Sequence, residues 1–188
     1  MPTLQIMTVS TRKQRIGPII ASWFVEQAQQ YGKFEVEPID LAEVNLPLFD
    51  EPNHPRMQQY ENEYTKTWSA TVQRADAFVF VMPEYNHTAP PSIVNALNYL
   101  SLEWAYKPVG FVSYGGVSGG TRGVESLLSL LATLKLVPMP EAVNIPFFFQ
   151  YIDRETVSIS LGDIQEKAAV AMLDELLRWT EALTVLRR

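Results

Sequence analysis

The chain has 188 residues, 47% hydrophobic and 19% charged, which suits one domain, spanning 1–188, with a sizeable core. A formal net charge of -6 argues against tracking a nucleic acid backbone or an anionic membrane, since both need a basic face. The absence of cysteine excludes disulfides, thiolate zinc sites and thiol nucleophiles, and the two histidines, His54 and His87, lack metal-ligand spacing, so redox chemistry would need a cofactor.

Leu4 to Val9 predicts a first strand, with none of the features of a secretory signal, and no apolar stretch approaches the roughly 20 residues of a membrane span. The expectation is a cytoplasmic protein. The polar cluster Ser10-Thr11-Arg12-Lys13-Gln14-Arg15 follows, with Ser10 or Thr11 as candidate helix caps. Then Gly17-Pro18 opens a helical pattern carried by Ile19, Ile20, Trp23, Phe24 and Ala28 to about Gln30. Tyr31-Gly32-Lys33 is a stop signal, and Phe34 to Leu41 alternates as a partly exposed strand does. Pro47, Pro52 and Pro55 predict an extended loop before a helix over about Gln58 to Arg74.

Ala77 to Met82 is apolar at every position, as in a central parallel strand covered on both faces. It runs directly into Pro83-Glu84-Tyr85-Asn86-His87. Ile93, Ala96, Leu97 and Leu100 make the inward stripe of the next helix. Val109 to Ser113 is a fourth strand, followed by the Gly-rich run Gly115 to Gly123 and a helix over about Val124 to Leu136. Pro138 and Pro140 interrupt the chain, Ala142 to Ile145 is a fifth strand, and the aromatic stretch Phe147 to Tyr151 leaves it. Asp163 to about Leu186 closes the chain as a long helix with Ala169, Met172, Leu173, Leu176, Leu177 and Trp179 on its core face.

Alternating strands and helices predict an α/β fold, a three-layer sandwich around a five-stranded parallel sheet. No G-x-G-x-x-G follows the first strand, which disfavours the dinucleotide fold and favours the flavodoxin-like order 2-1-3-4-5. In that order the loops from Ser10 and Pro83 flank one crevice at the carboxyl edge, with the Gly-rich loop beside them. Two hydroxyls and the guanidiniums of Arg12 and Arg15 at a helix N-terminus describe an anion pocket, and glycines let backbone approach a flat ligand. Gly116-Val117-Ser118-Gly119-Gly120 also matches the G-x-S-x-G elbow of serine hydrolases, but both histidines precede Ser118 and the serine does not follow its strand directly. Glu61 and Glu63 are read as a solvated helix face, and His87 as a bystander bonded to its surroundings.

With these three loops in place, the chain resembles the NADPH-dependent FMN reductase family, which includes quinone, azo-dye and chromate reductases. Ser10-Thr11-Arg12 and Arg15-Ile16-Gly17 fill the places of that family's G-S-x-R loop, with Val9 where glycine is usual. Pro83-Glu84-Tyr85-Asn86 matches its P-E-Y-N segment, and Asn95-Ala96-Leu97-Asn98-Tyr99 the helix that follows.

The resemblance implies that Ser10, Arg12, Arg15, Ile16 and Gly17 hold the FMN phosphate. It also implies that Pro83, Glu84, Tyr85 and Asn86 edge the flavin ring, with Ser113, Gly115 and Gly116 near its other side. It implies hydride transfer from NADPH or NADH through FMN to a small-molecule acceptor such as a quinone, azo compound or free flavin, with no catalytic side chain and no metal. Homodimers or homotetramers are implied too, with Trp104, Tyr106 and Phe147 to Phe149 as candidate interface residues. The alternative is an FMN-binding electron carrier or sensor without a soluble acceptor; flavodoxins are usually strongly acidic with hydroxyl-rich phosphate loops, and Arg12 and Arg15 tilt the reading towards a reductase.

Overall fold

A computed structural model describes residues 1–187. Strands β1 (Thr3–Thr8), β2 (Glu35–Asp40), β3 (Ala77–Pro83), β4 (Pro108–Gly115) and β5 (Val137–Pro146) form a parallel sheet in the order β2-β1-β3-β4-β5. The connections are made by helices α1 (Gly17–Tyr31), α2 (Leu41–Val44), α3 (Glu63–Gln73), α4 (Pro91–Asn98), α5 (Thr121–Glu125) and α6 (Leu128–Thr133). The helix α7 (Asp163–Leu183) follows a short hairpin of β6 (Ile152–Asp153) and β7 (Ser158–Ile159).

Strand side chains alternate between two apolar layers, so β3 must be apolar throughout. Phe78, Phe80 and Met82 join Trp68, Ile93 and Leu131 on one face, while Ala77, Val79 and Val81 meet Ile20, Phe24 and Met172 on the other. α1 stops where the stop signal falls, at Gly32, whose φ of 73° lets its N–H close on the Ala28 carbonyl. Val9 in place of a glycine costs nothing: it prolongs β1, its N–H donating to Val81 O at 3.0 Å and its carbonyl accepting from Ser92 Oγ at 2.6 Å.

Several sequence expectations are corrected. β5 begins at Val137 and passes through both prolines; it is an edge strand, and its register shifts between Val109 and Phe111 of β4, which is where a missing N–H is tolerated. The helix expected over Val124 to Leu136 is two short ones, because Ser126 between them donates to the Gly123 carbonyl (2.7 Å) and accepts the Ala89 N–H (2.9 Å). α3 starts at Glu63, after a 3-10 turn at Pro55–Met57. On α7, Thr180 is buried and Trp179 exposed, its ring on the outer face. Trp104 is fully buried and donates to the Leu97 carbonyl, so it is core and not interface.

Candidate cofactor site

The loop after β1 carries the positive charge. Ser10 is buried with its Oγ 2.6 Å from the Tyr85 hydroxyl, which joins this loop to the one after β3. Neither Ser10 nor Thr11 caps α1; the Ile16 carbonyl accepts from Ile19 and Ile20 instead, and Pro18 brings no N–H to the first turn. The chain turns at Gln14 with φ at 57°. Arg15 Nη2 lies 2.5 Å from Asp40 Oδ2, and Asp40 also caps α2 by accepting the Ala42 N–H. The Arg12 guanidinium stands over the Tyr85 ring, 5.5 Å from its centroid. Among the described residues, neither Arg12 nor Lys13 has a carboxylate partner.

After β3, Tyr85 and Thr88 exchange backbone hydrogen bonds of 2.9 and 3.0 Å around Asn86 and His87, both at positive φ (51° and 64°), which makes a two-residue turn. Asn86 suits that conformation; histidine at the next position is less common. Glu84 does not point into solvent. Its carboxylate accepts from Ser118 Oγ (2.8 Å) and the Arg122 N–H (3.2 Å), with the Arg122 guanidinium 3.6 Å away. Burial alone would raise its pKa. The Ser118 hydroxyl, the Arg122 charge and the N–H groups of Arg122 and Gly123 outweigh that and hold it below the ordinary carboxylate value.

The Gly-rich loop closes the third side. Gly120 has φ at 89°, and a Cβ there would stand 2.7 Å from Tyr114 N, so only glycine fits. Ser113 is buried, its Oγ 2.8 Å from both Gly119 O and Asn144 Oδ1, and it fixes the loop from beneath. At Gly116 an added Cβ would meet nothing within 4 Å, so the backbone faces open space. The hydrolase elbow fails on geometry as well: Ser118 donates to Glu84, and His87 Nε2 accepts from Arg122 Nη1 at 2.9 Å.

Together these loops bound a cleft of about 240 Å³. Ser10, Arg12, Arg15 and Ile16 line one end, Pro83, Glu84 and Tyr85 an edge, and Gly115 and Gly116 the other side. Gly17, Asn86 and Ser113 do not line it; they shape the loops that do. Sequence reasoning missed Lys13, Gln14, Tyr114 and Phe148, which also line it. Lys13 and Gln14 were legible as part of the same polar cluster, whereas Tyr114 and Phe148 reach the cleft only through packing, their rings meeting edge to face at 5.3 Å. Burial raises the Tyr114 hydroxyl pKa, as does the nearby Tyr85, while Arg15, Arg12 and Ser10 pull it partly back; the group stays a neutral donor. A roomier concavity of 730 Å³ lies on α7 around Glu175, Arg178 and Trp179, a shallow surface of one helix without convergent loops, so size alone does not mark the site.

A basic loop and an open glycine backbone, lining one cleft at the switch point of a 2-1-3-4-5 sheet, define a flavodoxin-like protein with a candidate cofactor cleft. Residues 3–150 match the NADPH-dependent FMN reductase family, and the chain belongs to that family. It is 40% identical over 148 residues to an NAD(P)H-dependent FMN reductase of Schizosaccharomyces pombe, covering 77% of this chain and 74% of that protein. A quinone reductase of Escherichia coli is 28% identical over 177 residues, 89% of this chain and 88% of that one. FerB of Paracoccus denitrificans, an NAD(P)H:(acceptor) oxidoreductase, superposes with a TM-score of 0.69 at 21% identity, over 97% of this chain and 98% of its own. The chain is thus an oxidoreductase whose cofactors are FMN and NAD(P)H. Among the described residues no helix is long and apolar enough to cross a membrane, and no cluster of His, Asp and Glu could hold a metal ion.

Proposed function

We propose that the cleft of this one domain holds FMN and that the chain passes two electrons from NAD(P)H to a quinone, an azo compound, free flavin or a similar acceptor. With a quinone, NAD(P)H and a proton yield NAD(P)⁺ and a hydroquinone. The observation that carries the reading is a single cleft with unpaired Arg12 and Lys13 at one end and the open Gly116 backbone at the other. A phosphate fits the first, and a flat ring the second.

Bound FMN supplies the redox chemistry. Ser10, Arg12 and Ile16 would receive its phosphate at the start of α1, where Gly17 shapes the turn, with Arg15 contributing less because Asp40 holds it. Pro83, Glu84 and Tyr85 would edge the ring, with Asn86 shaping the turn that presents them and Glu84 locking this turn to the Gly-rich loop. Gly115 and Gly116 would face it from the other side, with Ser113 holding their loop from beneath. No side chain is assigned as acid or base.

The purified protein should show flavin absorption bands or take up added FMN, and oxidise NADPH rapidly with a quinone present. Colourless protein that fails to take up FMN would sink the reading; stable flavin binding without turnover would make it a carrier or sensor. We further expect a homodimer or homotetramer, which light scattering tests, and a cytoplasmic location, which cell fractionation tests.

A further inference from the structure

The outer rim of the cleft is aromatic. Phe147 leaves β5 with φ at 48° and starts the 3-10 turn Phe148–Gln150. Phe148 turns inward and lines the cleft against Tyr114. Phe149 turns outward and is 59% exposed, its ring 6.0 Å from Phe148 and 6.2 Å from Phe147, which is itself 41% exposed. The Phe147 N–H donates to the Gly116 carbonyl at 3.0 Å, so the rim is fixed to the open glycine floor. No residue from Ile145 to Ile152 carries a charge. The walls of the cleft therefore differ in kind: Arg12 and Lys13 invite an anion, and this rim offers an anion nothing.

We propose that Phe147, Phe148 and Phe149 form an acceptor shelf that selects planar, uncharged, multi-ring acceptors of the naphthoquinone class over single-ring or anionic ones. The inference rests on the reading of the cleft as the FMN site. Three rings meeting at 74° and 79° span more than one ring width and leave ring faces and edges uncovered, to which a flat apolar molecule adds by offset or edge-to-face contact. A single-ring acceptor reaches past the shelf into the cleft without touching Phe149. Exposed rings continuous with a cleft wall are also the surface whose burial favours binding.

The test uses the FMN-loaded enzyme with NADPH and, in turn, 2-methyl-1,4-naphthoquinone, 1,4-benzoquinone and ferricyanide, comparing Phe149→Ala with Phe149→Tyr. Loss of one aromatic contact predicts a KM for the naphthoquinone raised about 3- to 10-fold in F149A and restored in F149Y. The KM values for benzoquinone, ferricyanide and NADPH, and the FMN affinity, should stay put. An unchanged naphthoquinone KM, a parallel rise for every acceptor, or a rise for NADPH overturns the shelf. So does a drop in oligomeric state of F149A by light scattering, which would assign these rings to a second copy of the chain. Failure of the unmodified protein to bind FMN would instead bring down the parent reading, so the two failures are separable.

Discussion

Arg12 and Arg15 enter the same loop and end in different electrostatic situations. Arg15 is mostly buried against Asp40, so its charge is largely spent on holding the start of α2, while Arg12 keeps its guanidinium on an aromatic ring with no counter-charge among the described residues. Arg12→Ala should weaken FMN affinity about 10-fold, at the low end for a charge-assisted hydrogen bond because the side chain is exposed. Arg15→Ala should cost affinity less but loosen α2. Fluorescence quenching titrations of both variants check the order, and an unchanged R12A affinity would remove the phosphate pocket. Gly120→Ala forces a side chain into the left-handed region and against Tyr114 N, and should cost on the order of 2 kcal/mol or more, read as a lower urea midpoint. Glu84, with its pKa depressed in the fold, contributes stability above the ordinary carboxylate value and loses it as the pH falls through its own lower value.

The segment between α2 and α3 shows what an element needs when it has no regular structure. Glu51 accepts the N–H groups of Glu61 and Asn62 at 2.9 and 3.0 Å ahead of α3, where Asn62 makes no side-chain cap. Asp50 accepts from the Tyr64 and Tyr99 hydroxyls, and Asn95 bonds both Pro47 O and Phe49 N. Asn95 and Tyr99, two residues of the family-like N-A-L-N-Y pattern, thus pin this loop and do not line the cofactor cleft. Glu103 is nearly fully buried and gathers donors from Tyr60, Ser69 and Gln58. Burial would raise the pKa of Glu51 and of Glu103, but these donors prevail and lower both. The unfolded chain therefore binds protons first as pH drops, so stability should be full above about pH 5 and fall through the acid range below it. Melting temperatures at stepped pH values check this; a flat profile from pH 6 to 3 would contradict it. Glu103→Ala, which removes the shared acceptor of these half-buried and exposed donors, should cost about 2 kcal/mol in chemical denaturation.

At the scale of the whole molecule, one sheet divides two apolar layers, and the candidate cofactor cleft lies where the connections from its central strands leave in opposite directions. Because the cleft walls come from β1, β3 and β4, which also hold both layers together, binding there couples to global stability. FMN at about 100 times its Kd should stabilise the fold by about 2.7 kcal/mol, raising the melting temperature by roughly 5–10 °C for a chain of this size. Calorimetry with and without FMN measures it, and an unmoved transition would argue against a cleft built on these strands.

What could be known before the fold was known follows from local physics. The all-apolar run Ala77 to Met82 demands a strand covered on both faces, Gly32 and Pro18 punctuate α1, and a polar loop after the first strand needs only strand order to become half of a crevice. Chain order and short-range pattern carry that information because they depend on neighbours in sequence. The remainder depends on partners far along the chain. Glu84 read alone is a solvent-facing turn residue until Ser118 and Arg122 fold over it; Arg15 looks as free as Arg12 until Asp40 arrives from β2; and Pro138 and Pro140 look like a break until β5 takes the edge of the sheet. Tyr114 and Phe148 reach the cleft only because a ring on β4 packs against one from the turn after β5. The sequence by itself determined the order of elements and which loops would meet; tertiary packing decided which side chains in those loops remain unpaired, and it is unpaired charge and uncovered backbone that a cofactor can use.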